Sequence, residues 1–138
     1  MRTLRPCTKL DYLFLFSDSR SAYSDLAVSQ SLEDGCAYLL TEGASPLGYI
    51  CAVYEHGVTR VSYGYTVPDA RNSGVFTALL SELVKQEMFP IRLSVSERNE
   101  LHAAIAHVCE KLGFTQGTAS IVFQCNMSAQ ESSRWDSY

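Results

Sequence analysis

Apolar and polar positions along this chain repeat with two different periods, and the switches between them mark out its elements. Residues 2–6 read as a short opening strand. Thr8 with Asp11 three positions on makes a weak capping box, heading a helix that carries Leu10, Leu13 and Phe14. A second, less regular helix spans 21–33 with Ala22, Leu26 and Leu32 facing in. Gly35 stands where a C′ glycine ends a helix. Residues 36–41 are apolar and rich in strand formers. The turn at 42–46 separates them from 47–55, which is apolar on both faces as a central strand would be. His56-Gly57 is a tight-turn pair. In 58–66, Val58, Val61, Tyr63 and Tyr65 alternate with Arg60, Ser62, Gly64 and Thr66, so the three residues from Val61 to Tyr65 are assigned one face.

The second half switches to helix, strand, helix and strand. Apolar residues at 75, 76, 79, 80, 83, 84 and 88 form a helical stripe between Gly74 and Met88, and Pro90 stops it. Residues 91–96 alternate again. Leu101, Ala104, Ile105, Val108, Cys109 and Leu112 return to helical spacing, closed by Gly113, and a last strand covers roughly 119–126. The order β-α-α-β-β-β-α-β-α-β predicts an α/β (α+β) domain over 1–127. Its hairpins are antiparallel, and 58–66, 74–88 and 91–96 form one right-handed parallel β-α-β unit. Residues 128–138 are a polar tail, in which Trp135 or Tyr138 is expected to dock on an apolar surface.

Composition narrows the class. Apolar residues make up 46% of 138 and charged ones 19%, enough for a packed core. The net charge of −4, without a basic stripe, speaks against nucleic acid as a partner. Apolar runs stay below ten residues, too short to span a membrane as a helix. Five cysteines, at 7, 36, 51, 109 and 125, are odd in number, widely spaced and without a CxxC. Neither a disulfide framework nor a metal site is expected from them. The opening residues lack the apolar run of a signal peptide, so a reduced, cytoplasmic protein is expected. His56, His102 and His107 form no metal or nucleophile–base pattern.

The chemistry concentrates between Tyr65 and Phe76. A strand ends, Pro68-Asp69 turns the chain, and a long amphipathic helix begins at Ser73-Gly74. The first amides of a helix lack internal partners and, with the helix dipole, make an anion site. Gly74 allows close approach to the backbone, and Arg71 adds a fork suited to phosphate, so pyrophosphate is the natural guest. The alternative is a plain strand-to-helix turn with a solvated Arg.

Arg71-Asn72-Ser73-Gly74-Val75 resembles the acetyl-CoA loop of the GNAT N-acetyltransferases, Arg/Gln-x-x-Gly-x-Gly/Ala. Cys109-Glu110-Lys111-Leu112-Gly113-Phe114 resembles that family's Tyr-Glu-Lys-Leu-Gly-Phe helix end, and the element order matches over residues 2–126. The resemblance implies the GNAT acyl-CoA N-acyltransferase fold, a mixed, mostly antiparallel sheet with central splayed parallel strands flanked by helices. It implies acetyl-CoA as co-substrate without a metal, its pyrophosphate on the amides from Arg71 through Asn72, Ser73, Gly74 and Val75 to Phe76. Its pantetheine arm would run along Tyr65, Thr66 and Val67, with Asn99 nearby. An amine of a small molecule or peptide would attack the thioester directly, from the side of the two N-terminal helices. A homodimer is expected by analogy only.

Three positions depart from that pattern. Phe76 stands where Gly or Ala is usual, and the helical stripe favours its pointing into the core. The fourth strand carries no carboxylate to act as base, and Glu55 and Asp69 read as strand-end and turn acids. Cys109 replaces the tyrosine that protonates the leaving thiolate; it reads either as that acid or as buried stripe filler. Tyr63 and Tyr65 are the remaining catalytic candidates: one hydroxyl touches substrate, or both rings simply pack beneath a helix. Two functions therefore stand, an N-acetyltransferase and a GNAT-like domain that binds acyl-CoA or a protein partner without turnover.

Overall fold

A computed structural model describes residues 1–87, 90–94, 102–116 and 122–125. The expectations for Asn99, for the strand beyond Ser94, for Met88 and Leu101 and for the tail with Trp135 and Tyr138 lie outside the described residues.

Among the described residues seven strands form one sheet in the order β1-β2-β3-β4-β5-β7-β6: β1 (Arg2–Pro6), β2 (Gly35–Glu42), β3 (Ser45–Glu55), β4 (Val58–Thr66), β5 (Ile91–Ser94), β6 (Thr115–Gln116) and β7 (Val122–Cys125). Every neighbouring pair is antiparallel except β4 and β5, which run parallel. The helices are α1 (Lys9–Leu15), α2 (Ala22–Asp34), α3 (Val75–Gln86) and α4 (His102–Lys111). The mixed α/β arrangement is the one the sequence predicts, with β6 as an additional two-residue strand.

Local chemistry explains the element ends. The Thr8 hydroxyl accepts from the Asp11 amide while the Asp11 carboxylate accepts from the Thr8 amide, which closes the predicted capping box. His56 and Gly57 take φ of 52° and 76°, the positive pair that a two-residue hairpin turn requires. At the end of α4, Gly113 has φ of 86°, its amide donates to the Glu110 carbonyl, and the Phe114 amide donates to Cys109. That is a Schellman ending, with Phe114 buried behind it.

Gly35 is a correction. Its φ of −173° is extended, not the left-handed C′ expected. It is glycine because a Cβ there would lie 1.9 Å from the Ala52 carbonyl oxygen.

The inward face expected of the second helix is also corrected, and the first buries a residue other than its leucines. Leu10 and Phe14 of α1 are exposed, and the helix packs through Tyr12 with Phe16 just beyond it. In α2, Ala22, Leu26 and Leu32 are exposed, whereas Ser24, Ala27, Val28 and Ser31 are buried. Small residues let this helix lie close on the sheet, and its buried hydroxyls are satisfied. The Ser24 and Tyr12 hydroxyls bond at 2.7 Å, and Ser31 donates to the Val28 carbonyl at 2.8 Å.

Two cores result, one on each face of the sheet. Ile50, Leu79, Leu80, Leu83, Ile91 and Leu93 pack under α3 and α4. Tyr12, Phe16, Val28, Leu39, Tyr49 and Cys51 pack under α1 and α2. Strand β3 is buried on both faces from Leu47 to Val53, as its unbroken apolar run predicts. Among the described residues no helix is long and apolar enough to cross a membrane.

Candidate functional site

The site forms where β4 parts from β5. The two strands pair through Thr59 with Ile91, Arg60 with Arg92 and Val61 with Leu93; among the described residues the pairing goes no further, while β4 continues to Thr66. The same point carries a β-bulge: Cys51 pairs with Tyr63 and Ala52 with Val61, so Ser62 is the extra residue. A bulge bends a strand and increases its twist. It also changes which face follows: Val61 packs with the α3/α4 core, while Tyr63 and Tyr65 pack with the α1/α2 core. The predicted sharing of one face by Val61, Tyr63 and Tyr65 is thereby corrected.

The splay opens a cleft of about 420 Å³. One wall is β4 from Val61 to Thr66, another is Leu93, Ser94, Ala104, Ile105 and Val108, and the floor is the loop leading into α3. That loop has an unusual backbone. A 3-10 turn at Pro68–Ala70 is followed by Arg71 at φ of −67°, Asn72 at 64° and Gly74 at 84°. Alternation of sign about a helix start turns successive amides toward one side, a concavity for anions. Gly74 is the N-cap of α3, and no side chain caps the helix. The amides of Val75, Phe76 and Thr77 have no carbonyl within the helix to bond. A Cβ on Gly74 would meet nothing within 4 Å, so the space above these amides is open.

Side chains hold the loop. The Arg71 Nε donates to the Thr66 carbonyl at 3.1 Å, and its guanidinium lies 6.0 Å from the Tyr65 ring centroid. Ser73 is turned the other way. Its hydroxyl donates to the Ala70 carbonyl, and Arg2 of β1 donates to its carbonyl at 2.8 Å and its hydroxyl at 3.1 Å. Arg2 is therefore a support for the anion loop from 71 positions away, and nothing in its sequence surroundings marks it.

Of the predicted cofactor-binding residues, Tyr65, Thr66, Arg71, Asn72, Gly74, Val75 and Phe76 meet in the cleft. Val67 and Ser73 do not stand in its walls: Val67 is half-buried against both cores, and its amide donates to the Leu47 carbonyl. Phe76 does not point wholly into the core as expected. It is half-buried on the α3/α4 core and also lines the cleft, its ring resting over Gly64.

The catalytic candidates separate. Tyr63 and Tyr65 line the cleft, and burial pushes the Tyr63 phenol up. Cys109 is fully buried in the α3/α4 core, behind the wall that Ala104, Ile105 and Val108 present. Burial alone pushes its thiol up to about 11. Glu55 is held by Arg60 at 2.7 Å on the far hairpin, which keeps its carboxyl below the usual range, and Asp69 is exposed in the 3-10 turn. Among the described residues the cleft walls contain no carboxylate and no histidine. Tyr23 of α2 is an addition the sequence did not signal. It reaches across to the cleft, its ring centroid 5.7 Å from that of Tyr63 and its hydroxyl donating to the Ser62 carbonyl at 3.1 Å.

The sequence matches no protein-family model and no curated protein. Solved structures resemble it strongly. The ribosomal-protein-S18-alanine N-acetyltransferase of Escherichia coli superimposes with a TM-score of 0.73 at 20% identity, covering 93% of this chain and 95% of that one. A GNAT-superfamily phosphinothricin acetyltransferase from Sinorhizobium meliloti, solved with acetyl-CoA, gives 0.71 at 20% identity over 92% and 89%. Arabidopsis thaliana NAA60 with a bisubstrate analogue gives 0.70 at 12% identity over 92% and 98%. The splayed β4 and β5, the uncapped helix start below them and these superpositions together show that the chain has the GNAT acetyltransferase fold.

Proposed function

We propose that this protein is an N-acetyltransferase that takes its acetyl group from acetyl-CoA and passes it to an amine of a small molecule or peptide. The observation that carries the reading is the open, uncapped start of α3 beneath the splay of β4 from β5. The amides from Asn72 to Thr77 would hold the pyrophosphate, with the terminal nitrogens of Arg71 as its charged partners. The edge of β4 beyond Val61, which has no described pairing with β5, would pair with the amide groups of the pantetheine arm. Similar structures carry acetyl-CoA or a bisubstrate analogue, which supports the choice of co-substrate. Acetyl-CoA supplies an activated acyl thioester. The chain's own contribution is to hold the reacting groups together and exclude water, a source of large rate gains. The Tyr63 and Tyr65 hydroxyls, with that of Tyr23, are described polar groups on the α1/α2 side of the bend, where an amine would enter. Cys109 takes no part in this reading. Among the described residues four cysteines are free, three of them buried, which supports a reducing, cytoplasmic setting.

The cleft walls favour a second reading as well. Without a described carboxylate or histidine there, the domain would bind acyl-CoA and not turn it over. Calorimetric titration of acetyl-CoA, with the Arg71→Ala/Gly74→Trp double variant alongside, tests both. Micromolar binding lost in the variant supports the site. Free thiol released with any of a panel of amines then selects the transferase, and none selects the binding domain. No binding by the wild-type protein overturns both.

A further inference from the structure

The acceptor side of the cleft is a stack of aromatic rings. Tyr23 lies over Tyr63 at 5.7 Å between centroids, Tyr63 stacks on Tyr49 at 5.9 Å and 29°, and Phe16 meets Tyr49 edge-on at 4.6 Å. The inner members are fixed: Tyr49 is fully buried and Phe16 nearly so. The outermost is not. Tyr23 is 63% exposed, and its ring is held over Tyr63 by contact with that ring and one hydrogen bond to the bulge carbonyl of Ser62. Tyr23 and Tyr63 are the two of these rings that line the cleft.

Resting on the acetyl-transfer reading for the identity of the amine, we propose that the acceptor carries a flat aromatic group beside its amine, bound against the face of Tyr63 with Tyr23 closing over it. At 5.7 Å and a 55° tilt the two rings leave no room for a third between them. Tyr23 must therefore swing outward, a movement through solvent that gives up a single neutral hydrogen bond. The incoming ring replaces it on a face that Tyr49 backs and Phe16 holds in orientation. The ring stacks where the bulge has brought Tyr63 to the α1/α2 side. Its amine then lies beside Ser62 and Gly64, at the point where β4 leaves β5.

Binding of 2-phenylethylamine and 2-cyclohexylethylamine, compared by calorimetry with and without acetyl-CoA, tests the proposal. The two amines match in charge and closely in size and differ in the π face. Ring pairing predicts a preference of roughly tenfold for the phenyl compound. Tyr63→Leu, which retains an apolar group, should reduce the preference to near one, and Tyr63→Phe should keep it. Equal affinities, no detectable binding of either amine, or a preference that survives Tyr63→Leu overturns the proposal. If acetyl-CoA fails to bind while the phenyl preference stands, the acetyl-transfer reading falls and the ring site remains. If acetyl-CoA binds without the preference, this inference alone falls.

Discussion

At the scale of single residues, backbone sign and burial decide what each side chain can do. Gly74 has φ of 84° in open space, so an alanine there meets strain and no clash. Gly74→Ala should cost about 1 kcal/mol in denaturant unfolding and weaken acetyl-CoA severalfold, since the amides it orients would shift. Arg2→Ala removes two hydrogen bonds to Ser73 on the exposed side of the same loop. It should weaken acetyl-CoA about threefold or more in the same titration, with little loss of stability; unchanged affinity would mean the loop holds its shape unaided. For the buried thiols the pH sign is definite. Burial lifts Cys109 and Cys51 to about 11 and Cys7 to about 12, above their unfolded values. Their contribution is complete below about pH 8.5 and falls as pH rises toward those values. Stability measured at pH 10 should therefore drop below that at pH 7, and by less in Cys109→Ala. A pH profile of acetyl transfer unchanged by Cys109→Ala would agree with its place behind the cleft wall. Much of that loop's turn into α3 was legible at this scale because Pro, Gly and a flanking Arg act locally. Arg2 was not, because its partner lies in another part of the chain.

At the scale of elements, most strands followed from periodicity and the α1 capping box from its residues, whereas the Gly35 cap and the buried faces of the first two helices did not. Leu10, Phe14, Leu26 and Leu32 suggested inward stripes, but α1 and α2 bury tyrosine and serine instead. A satisfied hydroxyl costs little to bury, and only the fold shows that the Tyr12 hydroxyl meets Ser24 and Asp25. The bulge at Ser62 was equally silent: simple alternation carries Val61 to Tyr65 on one face, and one extra residue divides them between two cores. The capping of α1 is the element-level prediction. Asp11 accepts from the Thr8 amide and from both Arg5 terminal nitrogens at 2.7 and 2.8 Å, and that pairing with Arg5 holds its carboxyl well below the usual range. Arg5 is 43% exposed, so solvent screens much of the ion pair. Asp11→Asn, which keeps an acceptor for the Thr8 amide but loses the charge paired with Arg5, should cost about 0.5 kcal/mol at pH 7. A depressed carboxyl stabilises above its unfolded pKa, so the difference between wild type and variant should shrink as pH falls below about 3.9. A difference that stays constant down to pH 2 would show that the charge contributes nothing.

For the whole molecule, the sheet is continuous on one side of β4 and opened on the other. From Gly48 to Glu55, β3 pairs with β4 along its length, which fixes β4 as a rigid rail. On the opposite edge the register with β5 runs to Val61 among the described residues, which leaves backbone groups of 62–66 facing the cleft without a described strand partner. A sheet does not ordinarily leave a central strand half-paired, because each unmade backbone bond that loses water costs about 1–3 kcal/mol. In the proposed reading, a ligand with its own amides would complete the ladder there. Amide exchange reads this directly. Without ligand, the cleft-facing amides of 62–66 and the first-turn amides of α3 should exchange much faster than those of β3, although all lie within one packed domain. Saturating acetyl-CoA should slow both groups together and leave the β1–β2 edge unchanged. At a hundredfold excess over Kd it should also raise global stability by about 2.7 kcal/mol. Protection of the α3 start without β4 would place the pyrophosphate correctly but deny that the arm pairs with the strand. Protection of neither would separate the fold from the activity.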